Sequence, residues 1–347
     1  MSEIPLTPAP RLNRRKFFWG LYGVYLLALL LVLWAGFLWF CYRVPPNKFT
    51  FRLDPYTINY NELFNTPDLM QPPAGDDAFR VLHLGGSVSE QFGSELERRL
   101  PELVGRPVKL YNLARAAHTS RDSRNKLEYL QNTPFDLIVV YNGVNDIQMN
   151  CVPDSEFRDD YSHCVWYEKF ERHKAAKQVR PVELIMSQAK LRIGLGVTEP
   201  DQLHHGNTTK TGPGFRSNFE TMIEFAKRKH TPLVLMTFCL HIPENYNSTD
   251  YLAGKLDYSP GAFHMTVESW GYPADVRRSI GVHNGIIREL AAANPQCYFI
   301  DQDQLLKGGE NFCDVCHLTP RGIERCVENM IQGLKQSGFP HREATGE

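Results

Sequence analysis

Residues 79–89 of the 347-residue chain read FRVLHLGGSVS, and they indicate its fold class most clearly. The first six of these residues are mostly apolar without strict alternation, which is typical of a strand buried on both faces of a parallel sheet. Two glycines then permit a tight turn. Residues of helical spacing follow, so the stretch predicts a strand, a turn and a helix, with the Ser87 hydroxyl near the helix N-terminus.

The same pattern recurs along the rest of the chain. Apolar runs of strand length occur at residues 80–85, 108–113, 136–141, 232–238 and 297–301. Segments of helical period occur at residues 89–103, 120–131, 215–229, 275–293 and 319–335. Because strands that alternate with helices are joined by right-handed crossovers, we expect one α/β domain over residues 79–337. Its predicted core is a doubly wound, flavodoxin-like, parallel five-stranded sheet with flanking helices.

Two segments interrupt this alternation, at residues 147–212 and 239–273. Both are rich in aromatic residues, histidine, proline and glycine. Long connections in compact domains often carry function, so we expect these segments to be insertions that cover a site. Residues 338–347 are expected to be a C-terminal tail.

The N-terminal part of the chain has a different character. Residues 17–42 contain no charged side chain and many Leu, Trp, Phe and Tyr residues. As a helix this segment measures about 39 Å, which exceeds a hydrocarbon layer of about 30 Å. We expect a single transmembrane anchor that is retained, preceded by a cytoplasmic tail (residues 1–16) and followed by a Pro-rich connector (residues 43–78). Slightly more positive charge before the anchor than after it favours a cytoplasmic N-terminus and an extracytoplasmic domain, in a periplasm, on a cell surface or in a lumen.

Charge and cysteine content narrow the class of protein. The chain has 38 Lys and Arg against 39 Asp and Glu, a balance that excludes a strongly basic nucleic-acid binder. The number of cysteines favours an oxidising compartment, and their pairing is left open. Seven of the eight lie beyond the anchor: Cys151, Cys164, Cys239, Cys297, Cys313, Cys316 and Cys326.

Polar residues follow three of the predicted strands. Ser87 follows the first strand, Asn145 lies in YNGVND (residues 141–146), and Asp314 and His317 lie in CDVCHLTP after the last strand. Ligands of open α/β sheets bind beyond the carboxyl ends of the strands. An aspartate three residues before a histidine can accept the Nδ1 proton and leave Nε2 as a base. The sequence therefore predicts a hydroxyl, an amide and an Asp–His pair at one edge of the sheet.

These stretches resemble the sequence blocks of the SGNH (GDSL-like) hydrolase family. The family pattern is Gly-Asp-Ser-x-Ser, an Asn-x-Gly segment with a later Gly, Gly-x-Asn-Asp, and a late Asp-x-x-His. The matching stretches are residues 85–89, 112–117, 143–146 and 314–317, and they occur in the same order as in the family. The resemblance covers residues 79–337 approximately and leaves the anchor outside.

The resemblance implies a role for each matching residue. Ser87 would be the nucleophile, His317 its base and Asp314 the acid that orients the imidazole. The oxyanion hole would consist of the Ser87 N–H, the Ala117 N–H and the side-chain amide of Asn145. A serine needs such a base because its hydroxyl is a weak nucleophile, and the oxyanion needs donors because it carries a full charge.

The implied activity is hydrolysis of a carboxylic ester through an acyl-enzyme on Ser87, without a metal or another cofactor. The expected partners are an acyl-ester substrate of the cell envelope and the membrane around residues 17–42, with no nucleic acid. Two alternatives stay open, namely O-acyl transfer to an envelope glycan or lipid, and a non-catalytic binding module that retains the fold. Substrate, acyl length and oligomeric state are not predicted.

Two residues depart from the family pattern. Gly86 stands where the family has aspartate, and Ala117 stands where it has the oxyanion glycine. Alanine keeps the N–H donor but resists a positive φ. If position 117 has to be left-handed, we expect a weakened oxyanion hole.

The stretch Cys313-x-x-Cys316-His317 also matches the attachment signature of c-type haem. On that interpretation His317 would be an axial ligand, but the other three sequence blocks would remain unexplained. A local disulfide between Cys313 and Cys316 is a further alternative, and it would stiffen the loop that carries His317.

Overall fold

The computed structural model describes residues 14–42, 55–66, 68–70, 75, 77–176 and 200–340. Most of the predicted tail 1–16, parts of the connector 43–78, the middle of the insertion 147–212 and most of the tail 338–347 lie outside the described residues. The chain divides into two compact units, residues 1–52 and residues 53–347.

The elements follow the predicted alternation closely. The strands are β1 (Phe79–Gly85), β2 (Val108–Asn112), β3 (Leu137–Tyr141), β4 (Leu233–Met236) and β5 (Tyr298–Ile300). The helices are α1 (Arg14–Tyr42), α2 (Pro55–Asn59), α3 (Glu62–Asn65), α4 (Ser87–Val104), α5 (Ser120–Tyr129), α6 (Val144–Gln148), α7 (Val165–Ala176), α8 (Gly212–Arg228), α9 (Ser248–Leu252), α10 (Pro273–Ala293), α11 (Gln302–Leu305) and α12 (Pro320–Gln336). Short 3₁₀ helices span Pro200–Asn207, Val267–Ser269 and Gly309–Asn311.

The five strands form one sheet in the order β2-β1-β3-β4-β5. All neighbouring strands are parallel. This is the flavodoxin-like order of a doubly wound sheet, so the predicted fold class is confirmed. The order reverses between β1 and β3, where Gly85 pairs with Tyr141. The loops after these two strands therefore leave the sheet side by side, at the position where ligands of such sheets bind.

Both faces of the sheet are buried, which is why the strand sequences are apolar without alternation. One face packs against α4 and α12 through a core that includes Val81, Val139, Val234, Met236, Phe92 and Val327. The other face packs against α5, α8 and α10 through a core that includes Leu82, Leu84, Val140, Leu235, Leu127, Phe219 and Ile287. Residues one apart in a strand thus enter different cores, as the pleat requires.

The N-terminal unit contains the 29-residue helix α1. Its segment Phe18–Phe37 is long and apolar enough to cross a membrane. A membrane anchor and a signal sequence both have this character.

The segment just before the sheet departs from the predicted connector. Within it, α2 and α3 pack on the domain, and Tyr60 and Leu63 are at most 1% exposed in the second core. Glu62 forms a buried ion pair with Lys126, with Oε1 and Nζ 2.6 Å apart. The compact unit begins near residue 53, so it includes part of the segment predicted as a connector. Helices of five and four residues are too short to show helical periodicity among prolines.

All seven cysteines beyond α1 are free thiols in the structure. The alternative of a Cys313–Cys316 disulfide is therefore not realised.

Truncating Leu63 tests whether α3 belongs to the domain. We expect Leu63→Ala to lower the free energy of unfolding by about 2–5 kcal/mol, because it leaves a cavity in a fully packed core. Chemical denaturation of the full chain in detergent measures this change. The neighbouring exposed Asn65 provides the control, since Asn65→Ala should change stability by less than about 0.5 kcal/mol. Equal, small effects of both substitutions would show that residues 55–66 are a loosely attached connector.

Candidate active site

The turn after β1 presents Ser87 at the first position of α4. Gly85 has a φ of +154°, and a Cβ there would lie 2.3 Å from the Tyr141 carbonyl oxygen, so only glycine fits. Gly86 has a φ of −90°, which suits any residue, but a Cβ there would lie 2.6 Å from Nδ2 of Asn145. Gly86 stands where the family pattern has aspartate, and its lack of a side chain permits the close approach of the Asn145 amide.

A tight loop after β5 holds Asp314 and His317. Phe312 and Leu318 form an antiparallel bridge across its base. The Cys313 N–H donates to the His317 carbonyl oxygen at 2.9 Å. Within the loop, the His317 N–H donates to Oδ1 of Asp314 at 2.8 Å. The three-residue spacing thus closes a turn in which the carboxylate faces the imidazole.

The structure brings Ser87, His317 and Asp314 into one hydrogen-bonded chain. Ser87 Oγ lies 2.8 Å from His317 Nε2. His317 Nδ1 lies 2.8 Å from Oδ2 and 3.0 Å from Oδ1 of Asp314. An ionised carboxylate only accepts hydrogen bonds, so Nδ1 carries the proton and Nε2 is left to accept from the serine hydroxyl.

The carboxylate of Asp314 is fully buried but well compensated. Its oxygens accept the backbone N–H groups of Cys316 at 3.0 Å, His317 at 2.8 Å and Met265 at 3.1 Å, besides the imidazole. Burial acts to raise the pKa of Asp314, but the hydrogen bonds and the His317 ring outweigh burial and hold the pKa below its ordinary value. Asp314 is therefore ionised at neutral pH and stabilises a protonated imidazole.

Asp314, Cys316 and His317 also place possible metal ligands within 4.8 Å of one another. A metal ion would have to displace the bonds that already occupy the carboxylate and Nδ1. Burial and the charge of Asp314 raise the pKa of the Cys316 thiol well above its ordinary value, so the thiolate that a metal prefers is disfavoured. The arrangement fits neither a metal site nor haem attachment, because both ring nitrogens of His317 are engaged.

Asn145 lies at the start of α6, directly beside the turn that carries Ser87. Its Nδ2 donates to the His118 carbonyl oxygen at 2.9 Å, and its Oδ1 accepts from Trp270 Nε1 at 3.3 Å. A carbonyl only accepts and an indole N–H only donates, so these two contacts together fix which amide atom is nitrogen. The second Nδ2 hydrogen has no acceptor among the described residues, and Nδ2 lies close to the turn that carries Ser87.

Ala117 has a φ of +63°, the left-handed conformation that alanine resists. The strained residue nevertheless keeps a free donor, because no acceptor takes its N–H among the residues that the structure describes. The next residue, His118, is held by Lys126, whose Nζ donates to Nδ1 at 2.7 Å, and by the edge of the Tyr60 ring. The conformation at position 117 is thus imposed by its surroundings.

Two of the residues predicted to supply oxyanion donors, Ser87 and Asn145, line one small cavity, whereas Ala117 is not among its lining residues. This cavity of about 10 Å³, the volume of about one water molecule, is lined by Gly86, Ser87, Asn145 and their neighbours. Ser87 and Asn145 are 8% and 9% exposed, and Ala117 is exposed. The site therefore reaches the protein surface while most of its polar atoms are shielded from water.

Three further residues contact the site, and no motif in the sequence indicates them. Phe263 stacks on the His317 ring, Met265 donates its N–H to Asp314, and Trp270 donates to Asn145. All three belong to the insertion at residues 239–273. The only available signal was the aromatic content of that insertion, since no spacing relates these residues to the strand ends.

No protein-family model and no curated protein matches the chain. Among solved structures, it is similar to a GDSL-like lipase from Bacteroides thetaiotaomicron, at 15% identity over 81% of this chain and 98% of that one, with a TM-score of 0.45. A lipase from a goat rumen metagenome shares 14% identity over 77% and 100% of the two chains, with a TM-score of 0.40. A salicylyl-acyltransferase from a tetracycline biosynthetic pathway shares 14% identity over 77% and 56%, with a TM-score of 0.37. Likenesses this distant do not assign an activity.

Replacing Ala117 by glycine tests whether this position is strained. We expect Ala117→Gly to raise the free energy of unfolding by about 0.5–1 kcal/mol, because relief of the left-handed strain exceeds the added entropy of the unfolded chain. Thermal and chemical denaturation measure the change. Ala116→Gly is the matched control, and it should lower stability because Ala116 is not left-handed. Equal destabilisation by both substitutions would show that position 117 carries no strain.

Proposed function

We propose that this chain is a membrane-anchored serine esterase of the SGNH type, which hydrolyses a carboxylic ester through an acyl-enzyme on Ser87. The observation that carries the proposal is the contact of 2.8 Å between Ser87 Oγ and His317 Nε2, with Asp314 bound to the opposite ring nitrogen. The contact to Asp314 fixes the tautomer in which Nε2 is unprotonated, and this is the tautomer that can accept the serine proton. A nucleophile, its base and the group that orients the base are the parts that ester cleavage needs.

The first half of the reaction acylates the serine. Ser87 Oγ attacks the ester carbonyl carbon as its proton passes to His317 Nε2, and a tetrahedral intermediate forms. The imidazolium then gives this proton to the alcohol oxygen as the carbon–oxygen bond of the ester breaks. Asp314 stabilises the imidazolium at short range from a buried position, where the attraction is stronger than in water.

The second half of the reaction removes the acyl group and regenerates the free serine. A water molecule loses a proton to Nε2 and attacks the acyl carbon, and the bond to Ser87 Oγ breaks as the imidazolium reprotonates that oxygen. Both tetrahedral intermediates carry a negative oxygen, for which the Ser87 N–H, the Ala117 N–H and Asn145 Nδ2 are the proposed donors. Removal of a single donor of this kind costs about 10²–10³ in rate.

Acyl transfer would begin with the same acylation of Ser87. If an alcohol of a glycan or lipid takes the place of water, the product is a new ester and every other step is unchanged. The residues of the site act on the acyl carbon and do not select the acceptor. Product analysis with and without an added alcohol acceptor separates the two activities.

For location, we propose that α1 anchors the chain with its N-terminus in the cytoplasm and the catalytic domain outside. The support is the charge difference, with Arg11, Arg14, Arg15 and Lys16 before the apolar segment and Arg43, Lys48 and Arg52 after it. A cell-envelope ester is the proposed substrate class because the domain would then face the envelope.

Labelling with a fluorophosphonate probe tests the nucleophile. Ser87 Oγ should attack phosphorus, fluoride should leave, and the hydroxyl proton should pass to His317, so the wild-type chain becomes covalently labelled at Ser87. We expect no label on Ser87→Ala and at least about 10²-fold slower labelling of His317→Ala. Ser94→Ala, which removes an exposed serine of the same helix, should label like the wild type. A wild-type chain that takes no label at all would favour the binding module.

Reporter fusions test the orientation of α1. With alkaline phosphatase at the C-terminus in a bacterial host, we expect active enzyme, because phosphatase disulfides form only outside the cytoplasm. A fusion to green fluorescent protein should stay dark. Replacing Arg14, Arg15 and Lys16 by glutamine reverses the charge difference and should reverse both signals. A fluorescent wild-type fusion without phosphatase activity would place the domain in the cytoplasm.

A further inference from the structure

One segment of the second insertion contacts three different groups of the candidate active site. We call residues Gly261–Trp270 the strap. Its Phe263 lies on His317, its Met265 N–H donates to Asp314, and its Trp270 N–H donates to Asn145. The base, the acid and the oxyanion amide are thus all touched by ten consecutive residues that none of the family blocks includes.

The strap and its flanking residues are held closely against the loop that carries Asp314 and His317. At its start, a Cβ on Gly261 would lie 2.3 Å from Cβ of Cys313, so glycine permits the close approach. Just before it, the Ser259 N–H donates to the Phe312 carbonyl oxygen at 3.0 Å. At the other end, Val267 and Trp270 are buried in the first core. Both ends are therefore fixed, and the residues between them are held in register with the site.

Trp270 determines the orientation of the Asn145 amide. Its indole N–H can only donate, so the bond of 3.3 Å requires the oxygen of Asn145 at that position. The nitrogen is then directed to the opposite side, where one hydrogen is taken by His118 and the other is available near Ser87. Without Trp270, only the bond to the His118 carbonyl oxygen would oppose rotation of the amide, and a rotated amide would present its oxygen to an oxyanion, which would repel it.

Phe263 acts on the base in a different way. Its ring lies parallel to the His317 imidazole, with centroids 4.0 Å apart and an interplanar angle of 6°. It covers one face of the imidazole, while Asp314 holds the ring edge at Nδ1. Because His317 is only 3% exposed, this cover leaves the ring little freedom to leave the plane that Ser87 and Asp314 define.

We infer that the strap preorganises the active site, with Trp270 as a positioning residue for the Asn145 donor and Phe263 as a positioning residue for the His317 base. This inference rests on the proposed function. Preorganised donors contribute most in the transition state, where the charge on oxygen is greatest, and little to substrate binding. Loss of Trp270 should therefore lower kcat and leave KM nearly unchanged.

A double-mutant cycle on the detergent-solubilised full chain tests the role of Trp270. The readout is the second-order rate of fluorophosphonate labelling at Ser87, with kcat and KM for p-nitrophenyl acetate as the second readout. Trp270→Phe keeps the aromatic ring and removes the N–H, so we expect labelling to slow about three- to tenfold, the equivalent of one hydrogen bond. Asn145→Ala should slow it about 10²-fold.

The combination of both substitutions separates positioning from structural damage. If Trp270 acts through Asn145, adding Trp270→Phe to Asn145→Ala should change the labelling rate less than twofold. A general structural defect would instead slow labelling equally in both backgrounds, and that result would overturn the inference. Phe263→Leu acts on His317, so the slower labelling that it causes should persist unchanged in the Asn145→Ala background.

The outcomes also distinguish this inference from the proposed function. A wild-type chain that is not labelled contradicts the esterase proposal itself. A wild-type chain that is labelled, slowed by Asn145→Ala and indifferent to both Trp270→Phe and Phe263→Leu supports the esterase and overturns only the role of the strap.

Discussion

The hydrogen bond between Ser87 and His317 joins residues 230 positions apart in the chain, and the rest of the site is arranged around it. The parallel sheet makes this contact possible, because its strands all end at one edge and β1 and β3 are adjacent where the strand order reverses. Ser87 follows β1 directly, whereas His317 reaches the same edge from a loop well beyond β5. A buried, ionised Asp314 completes the chain and fixes the imidazole tautomer.

Close packing fixes the orientation of the Asn145 amide, which is the other part of the site. The Asn145 amide rests on Gly86, where no Cβ could be accommodated, and is bonded to both His118 and Trp270. Each of these contacts comes from a different part of the chain. The amide therefore has one orientation in the folded protein, and a donor that is already oriented needs no rearrangement when charge develops on the substrate.

A buried charge pair connects this arrangement to the segment that follows the N-terminal unit. Lys126 lies between Glu62 and the ring of His118, and it also donates to the Leu113 carbonyl oxygen at 2.5 Å. Burial and the nearby ammonium group hold the pKa of His118 well below its ordinary value, so its ring is neutral and accepts from Lys126. Removing one partner of a buried pair leaves an uncompensated charge, which is why such a pair holds its neighbours in a defined position. The left-handed Ala117 is next in the chain to this anchored histidine.

Patterns in the amino-acid sequence were enough to predict the fold class, the five strands, the five main helices and the residues that meet at the sheet edge. They were enough because both faces of the sheet are buried, and this leaves unbroken apolar runs, while glycines and polar residues mark the strand ends. They did not reveal that residues 55–66 fold onto the domain, since helices of one turn have no periodicity to detect. The left-handed conformation of Ala117, the orientation of Asn145 and the contacts of Phe263 and Trp270 arise only in the folded chain. These features depend on side chains from distant segments packing together, and no local spacing in the chain encodes such contacts.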